Sequence, residues 1–208
     1  MTDLIQPKII EAAEVLRRGG AVVYPTETFY GLGAALLVPG AAENIFRIKG
    51  RAPGKPLPVI AADADAARSL WKAESVSEDA ERLMAAFWPG PLTIILPASD
   101  LVPRAAAPFG EIGVRVSPHP VAQMLAGRAG PLAATSANLS GRGEVTEVSM
   151  LDPLLAARVD FVLDAGQTPG GRPSTVVRLG PQGDVKILRE GAVAAGDVLR
   201  ALERGAAG

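Results

Sequence analysis

Apolar positions in this chain switch repeatedly between a helical and a strand period. Ile9, Ile10, Ala13 and Leu16 recur at helical spacing and meet a stop at Gly19-Gly20, which predicts a first helix. Ala21-Val22-Val23-Tyr24 predicts a short buried strand cut by Pro25, followed over 26–33 by a hydroxyl-rich loop at the strand end, a common binding position. Ala42, Ile45, Phe46 and Lys49 predict a helix that carries Lys49 at its C-terminal end and stops at Gly50. Pro53-Gly54-Lys55-Pro56 reads as a loop before the run Leu57-Pro58-Val59-Ile60. Helices are expected around 65–70 and over 77–87, the latter ended by Trp88-Pro89-Gly90-Pro91.

Strands rich in β-branched residues are predicted over 92–96 and 112–116, with a helix over 120–129 and a strand over 132–135 that places Ser136-Ala137-Asn138 just past its end. Gly141 and Gly143 make the next segment a loop, and Gly166, Gly170 and Gly171 mark another before Ser174. Further strands are expected over 159–163, 174–179 and 185–188, and a closing helix over 194–202. Interspersed helices and strands imply an α/β fold, a sheet with packed helices. Neither a 20–50-residue repeat nor a low-complexity linker divides the chain.

At 208 residues the chain can bury a large core, and one domain over 1–208, with a core of about 9–203, is the expectation. A net charge of −1 gives no overall field to attract nucleic acid, so RNA binding would need a local basic surface. The absence of cysteine excludes disulfides and thiol chemistry, and a single histidine, His119, excludes a two-histidine zinc site. His119, between Pro118 and Pro120, reads as a turn residue at a helix start rather than a catalytic one. The first eight residues lack a secretory pattern and no apolar run is long enough to span a bilayer, so the expectation is a cytoplasmic protein without a membrane partner.

The candidate chemistry then rests on few groups. Lys49, Arg51 and Lys55 put three cations within seven residues of a Gly/Pro-rich segment without carboxylates, which suits a polyanion; a solvated helix end is the alternative. Without G-x-x-x-x-G-K-[ST], a phosphate site would have to be built in another way. Ser136 and Asn138 offer a hydroxyl and an amide, or else form a turn. Arg115, flanked by Val114 and Val116, must face either solvent or an anion. Glu27 reads as an exposed loop carboxylate, with a general base or metal ligand as the sharper alternative. Tyr24, Phe29, Tyr30, Trp88 and Phe109 are too scattered to form a base-stacking platform.

Taken in order, Tyr24-Pro25-Thr26-Glu27-Thr28-Phe29-Tyr30-Gly31-Leu32-Gly33, Lys49-Gly50-Arg51, Trp88-Pro89-Gly90-Pro91-Leu92-Thr93, Val114-Arg115-Val116 and Ser136-Ala137-Asn138-Leu139-Ser140 closely resemble the YrdC-like threonylcarbamoyl-AMP synthase family. Ser174-Thr175-Val176 and Leu188-Arg189-Glu190-Gly191 extend the match. The resemblance implies a twisted mixed β-sheet with flanking helices around a concave cleft, in the single-domain form of the family. It implies an enzyme, a nucleotidyltransferase that joins L-threonine, bicarbonate or CO2, and ATP into L-threonylcarbamoyl-adenylate with release of pyrophosphate. A tRNA-modifying partner would then transfer the threonylcarbamoyl group to an adenosine beside the anticodon.

Carried over position by position, the resemblance implies Lys49, Arg51 and Lys55 for the nucleotide phosphates, with Lys49 and Arg51 catalytic, and Ser136, Asn138 and Arg189 also on the nucleotide side. It implies Thr28, Arg115, Ala134 and Ser174 for L-threonine. Mg²⁺ is expected with ATP, with no protein ligand assigned to it. Ala52 stands where proline is usual, Phe29 where a smaller aliphatic residue is, and Ile60 where some members have histidine. An RNA-binding module of the same fold, and a relative with another acyl-adenylate or carbamoyl reaction, are the competing readings; weak RNA binding is compatible with each.

Overall fold

The computed structural model describes residues 5–50, 54–139, 143–180 and 184–203. Its helices start and stop at side chains and glycines that close the backbone. Helix α1 (Ile5–Arg17) buries Ile9, Ala12, Ala13 and Leu16. Helix α2 (Ala41–Lys49) ends at Gly50, whose φ of 59° is left-handed and whose N–H returns to the carbonyls of Arg47 and Phe46. Asp63 caps α3 (Ala64–Ser69) and Ser77 caps α4 (Glu78–Phe87), each accepting a backbone N–H three residues on. Helix α5 (Pro120–Ala129) begins with proline, and the Nδ1 of His119 accepts the Val121 N–H at 3.3 Å. His119 is thus a cap, half-buried, and burial lowers its pKa against the opposing pull of Glu27. The short α6 (Pro153–Ala156), which the periodicity does not reveal, is capped by Asp152, and α7 (Ala195–Glu203) follows the last strand.

Nine strands of the described residues form one mixed sheet: β1 (Ala21–Pro25), β2 (Tyr30–Ala35), β3 (Val59–Ala61), β4 (Leu92–Pro97), β5 (Glu111–Val116), β6 (Leu132–Ser136), β7 (Phe161–Val162), β8 (Thr175–Leu179) and β9 (Val185–Arg189). Their order is β7-β1-β2-β6-β3-β5-β4-β8-β9. Pairs β1–β7, β3–β5 and β4–β8 are parallel and the others antiparallel. Two expectations change here. The 26–33 loop is only a tight turn, because Tyr30 already opens β2, a buried strand that its glycines disguised. Gly31 and Gly33 face Tyr24, and a Cβ on Gly33 would lie 2.7 Å from the Tyr24 ring. Ser136 is the last residue of β6 rather than a residue beyond it.

Because side chains alternate along a strand, the near-continuous apolar runs of β1, β3 and β6 bury both faces. On one face, Ile9, Ala12, Ala13 and Leu16 of α1 and Val121, Ala122, Leu125 and Ala126 of α5 pack with Val22, Tyr24, Ile60, Leu132 and Ala134. On the other, Val23, Leu32, Val59, Ile94, Val114 and Val177 pack beneath Ile45 of α2, Leu83 of α4 and Val198 of α7. Trp71 and Trp88 stack in this second core with centroids 6.1 Å apart, and the Trp71 indole donates to the Ile112 carbonyl at 3.1 Å. Among the described residues no helix is long and apolar enough to cross a membrane.

The start of β8 is pinned by one buried hydroxyl. Thr175 Oγ1 donates to the Val193 carbonyl at 2.5 Å and accepts the Gly191 and Val193 N–H groups at 2.8 and 3.1 Å. Thr175→Val keeps the shape but strands these backbone groups, so it is expected to lower unfolding free energy by about 2 kcal/mol. Chemical denaturation checks this, with a Thr175→Ser variant expected to recover most of the loss.

Candidate active site

The face that α1 and α5 cover at one end of the sheet lies open at the other. Register carries a single row of same-side residues across the strands: Ala134 on β6, Ile60 on β3, Arg115 and Gly113 on β5, Ile95 and Thr93 on β4, Val176 on β8 and Arg189 on β9. From Ile60 onward this row floors a cleft of about 370 Å³, walled by Thr26, Thr28, Phe29, Pro173 and Ser174. Gly113 sets its depth, since a Cβ there would sit 3.1 Å from Thr93 Cγ2 and 3.2 Å from Ile95 Cγ1.

Six sequence-predicted residues, Thr28, Arg115, Ala134, Ser136, Ser174 and Arg189, line this cleft although they come from distant parts of the chain. Lys49 and Asn138 stand behind its Ser136 end. Lys49 is 7% exposed, and its ammonium donates to the Ser136 carbonyl at 2.7 Å, to Asn138 Oδ1 at 3.2 Å and, more weakly, toward Thr135 Oγ1 at 3.4 Å. Ser136 Oγ also donates to Asn138 Oδ1, at 2.6 Å. The cation-bearing helix end and the Ser-Ala-Asn segment are therefore one hydrogen-bonded unit, and Lys49 is not the solvated helix end that its position allowed. Lys55 is exposed beside Pro56 at the rim. Arg51, together with Ala52 and Ser140, lies outside the described residues.

At the opposite wall Arg189 donates to the Ser174 carbonyl from Nε and Nη2, at 3.1 and 2.8 Å, and from Nη2 to Ser174 Oγ at 3.2 Å. Ser174 Oγ lies 3.1 Å from Thr93 Oγ1. Burial lowers the pKa of Arg189; Glu144 pulls it up and the charge of Arg115 adds to the lowering. Two guanidinium groups thus share one cleft, with Glu144 also in its lining. Arg115 is itself paired with Glu27, and Ser117 donates to the second Glu27 oxygen. The Glu27 side chain is 11% exposed and paired with Arg115, so it is not the exposed loop carboxylate that the sequence suggests. Among the described residues no three acidic or histidine side chains gather to hold a metal ion.

A family model described as telomere recombination, that of Sua5, YciO and YrdC, matches residues 14–191. The chain belongs to the Sua5/YciO/YrdC family. It is 38% identical over 174 residues to a threonylcarbamoyl-AMP synthase of Pyrococcus abyssi, covering 83% of this chain and 51% of that protein, so it spans about half the length of that relative. A threonylcarbamoyl-AMP synthase of Xanthomonas axonopodis pv. citri is 35% identical over 192 residues, covering 91% of this chain and all of the relative. Among solved structures, that of P. abyssi Sua5 complexed with L-threonine superposes with a TM-score of 0.85 at 35% identity, covering 94% of this chain and 57% of that one. The mixed α/β fold with helices flanking a large sheet is the Sua5/YciO/YrdC fold. Within it, the sequence candidates left out Thr93, which lines the cleft, and Ser117, which stands behind it. A hydroxyl in an apolar strand, as Thr93 is in β4, was the available signal for one of them.

Proposed function

We propose that this Sua5/YciO/YrdC chain makes L-threonylcarbamoyl-adenylate from L-threonine, CO2 or bicarbonate, and ATP, releasing pyrophosphate, for threonylcarbamoyl modification of a tRNA adenosine. The observation that carries this reading is the gathering of Thr28, Arg115, Ala134 and Ser174 in one cleft with Ser136, which is bonded to the Lys49 unit at one end. The L-threonine held by the related P. abyssi structure supports it. Arg115 offers a guanidinium to the amino acid carboxylate, and Thr28 and Ser174 offer hydroxyls to its remaining polar groups. The Ser136, Asn138 and Lys49 end, with Lys55 at the rim, is proposed to take the nucleotide; Arg189, on the opposite wall, and Arg51, outside the described residues, are proposed for it on the family resemblance alone.

In the proposed reaction the threonine amine adds to CO2, forming an N–C bond and losing a proton to give a carbamate. A carbamate oxygen then attacks the α-phosphorus of ATP, an O–P bond forms, and the bond to pyrophosphate breaks. Such transfer depends chiefly on alignment and on charges set where negative charge develops, so a site poor in acid-base groups suffices. Mg²⁺ is proposed to accompany ATP, with no protein ligand assigned to it. A threonylcarbamoyl transferase acting on tRNA is the proposed consumer of the adenylate, in the cytoplasm.

Pyrophosphate release from ATP, measured with L-threonine or bicarbonate left out in turn and with L-serine substituted, tests the proposal. Release is expected to require both co-substrates and to be slower with L-serine. A folded protein without threonine-dependent release overturns the reading, and salt-sensitive RNA binding without turnover would establish the binding-module alternative.

A further inference from the structure

We propose that Glu27 is a positioning residue, which holds the Arg115 guanidinium at the angle needed to receive a substrate carboxylate. The inference rests on the threonine reading of the cleft and extends it to a residue with no assigned role. Glu27 sits between Thr26 and Thr28, both of which line the cleft, while Glu27 itself lies outside the lining and reaches behind it. Its two oxygens are used separately: Oε1 accepts from Arg115 Nη1 and Oε2 from Ser117 Oγ. Ser117, fully buried, accepts in turn from the His119 backbone N–H at 3.2 Å. The β1–β2 turn is thereby tied to the end of β5 and the start of α5, although β2, β6 and β3 separate β1 from β5 in the sheet.

This arrangement suits a holder and not a proton acceptor. Burial alone would push the Glu27 carboxyl up, but the Arg115 charge and the hydrogen bonds from Arg115 and Ser117 outweigh it and leave the pKa below its ordinary value. The carboxylate is therefore ionised at neutral pH and spent on its neighbours. Among the described residues Glu27 is the ion-pair partner of Arg115 and engages Nη1 alone, so the bond fixes one corner of the planar fork and leaves its other donors for the cleft that Arg115 lines. An arginine on the open sheet face without this tether would sample several rotamers, and ordering it would be charged against each binding event.

The test compares wild type, Glu27→Gln, Glu27→Asp and Ser117→Ala by steady-state pyrophosphate release and by calorimetric binding of L-threonine and L-threoninamide, which lacks the carboxylate. Glu27→Gln is expected to raise KM for L-threonine by about tenfold while KM for ATP stays within about twofold, the split expected of a carboxylate-subsite effect. Its preference for L-threonine over L-threoninamide should shrink by a similar factor. Glu27→Asp should recover part of the loss, and Ser117→Ala, which keeps the ion pair, should show a smaller shift in the same direction. Wild-type KM and amide discrimination in Glu27→Gln overturn the proposal, as does a parallel rise in both KM values with a lowered melting temperature. If Glu27→Gln does not fold, the Asp and Ser117→Ala variants decide by the same criteria. Wild type that fails to bind L-threonine overturns the functional reading itself, and with it this proposal, before any variant is compared.

Discussion

Lys49→Met lowers threonine-dependent pyrophosphate release at saturating substrates by about 10²–10³-fold, the range found when one fixed charge or donor is removed from a site of developing negative charge. The expected effect has two sources. The positive charge itself is lost from the end of β6, where Ser136 enters the cleft. The Ser136 carbonyl and Asn138 Oδ1 also lose the ammonium that holds them at 2.7 and 3.2 Å, so the segment is less well placed. A buried acceptor left unpaired costs roughly 1–3 kcal/mol, so the variant should also melt at a lower temperature while remaining folded. Turnover within tenfold of wild type, with circular dichroism unchanged, would remove Lys49 from the mechanism.

Arg115→Met changes both binding and the sign of a pH dependence. The Arg115 and Glu27 side chains are 13% and 11% exposed, and stranding one member of a buried pair costs about 3–5 kcal/mol at neutral pH. In the wild type the Glu27 pKa is lower in the folded than in the unfolded chain. Its stabilisation is therefore present above the unfolded pKa and lost as pH falls through the folded one. Without Arg115, burial is the largest remaining influence, opposed by the Ser117 and backbone hydrogen bonds, and is expected to raise the folded pKa above the unfolded value. The Glu27 contribution then favours folding fully only below the unfolded pKa, and that advantage is lost as pH rises through the folded one. Melting temperatures measured from about pH 4 to pH 8 should show the variant's deficit shrinking toward acid. L-threonine binding should weaken by at least about a hundredfold. A deficit independent of pH would refute the Arg115–Glu27 pair as the cause.

These two sites also divide what the chain discloses locally from what only folding assembles. Helix ends were legible because their determinants are local: Ser77 three residues before the N–H it caps, Gly50 directly after Lys49, Pro120 at the first turn of α5. Strand β2 was hidden because its two glycines carry no strand signal, and their reason is the Tyr24 ring across the β1–β2 pair. For Arg115, strand alternation left solvent or an anion as the choices, and no local pattern names a carboxylate 88 residues away. Likewise, Lys49 and Ser136-Ala137-Asn138 were both candidates, yet their direct bonding depends on where α2 ends relative to β6. Residue types pointed to the chemistry; register decided which groups share a wall.

That register also sets an order in time. The far wall of the cleft, Ser174, Val176 and Arg189, belongs to β8 and β9, and β8 joins the sheet as the parallel neighbour of β4, more than eighty residues earlier in the chain. A nascent chain can pair β1 with β2 as soon as both emerge, but it has no second wall until these late strands dock. Ligand binding thus reports completion of the last strand pairings in chain order, and a trapped intermediate lacking β8 would be structured over much of its length and still blind to substrate.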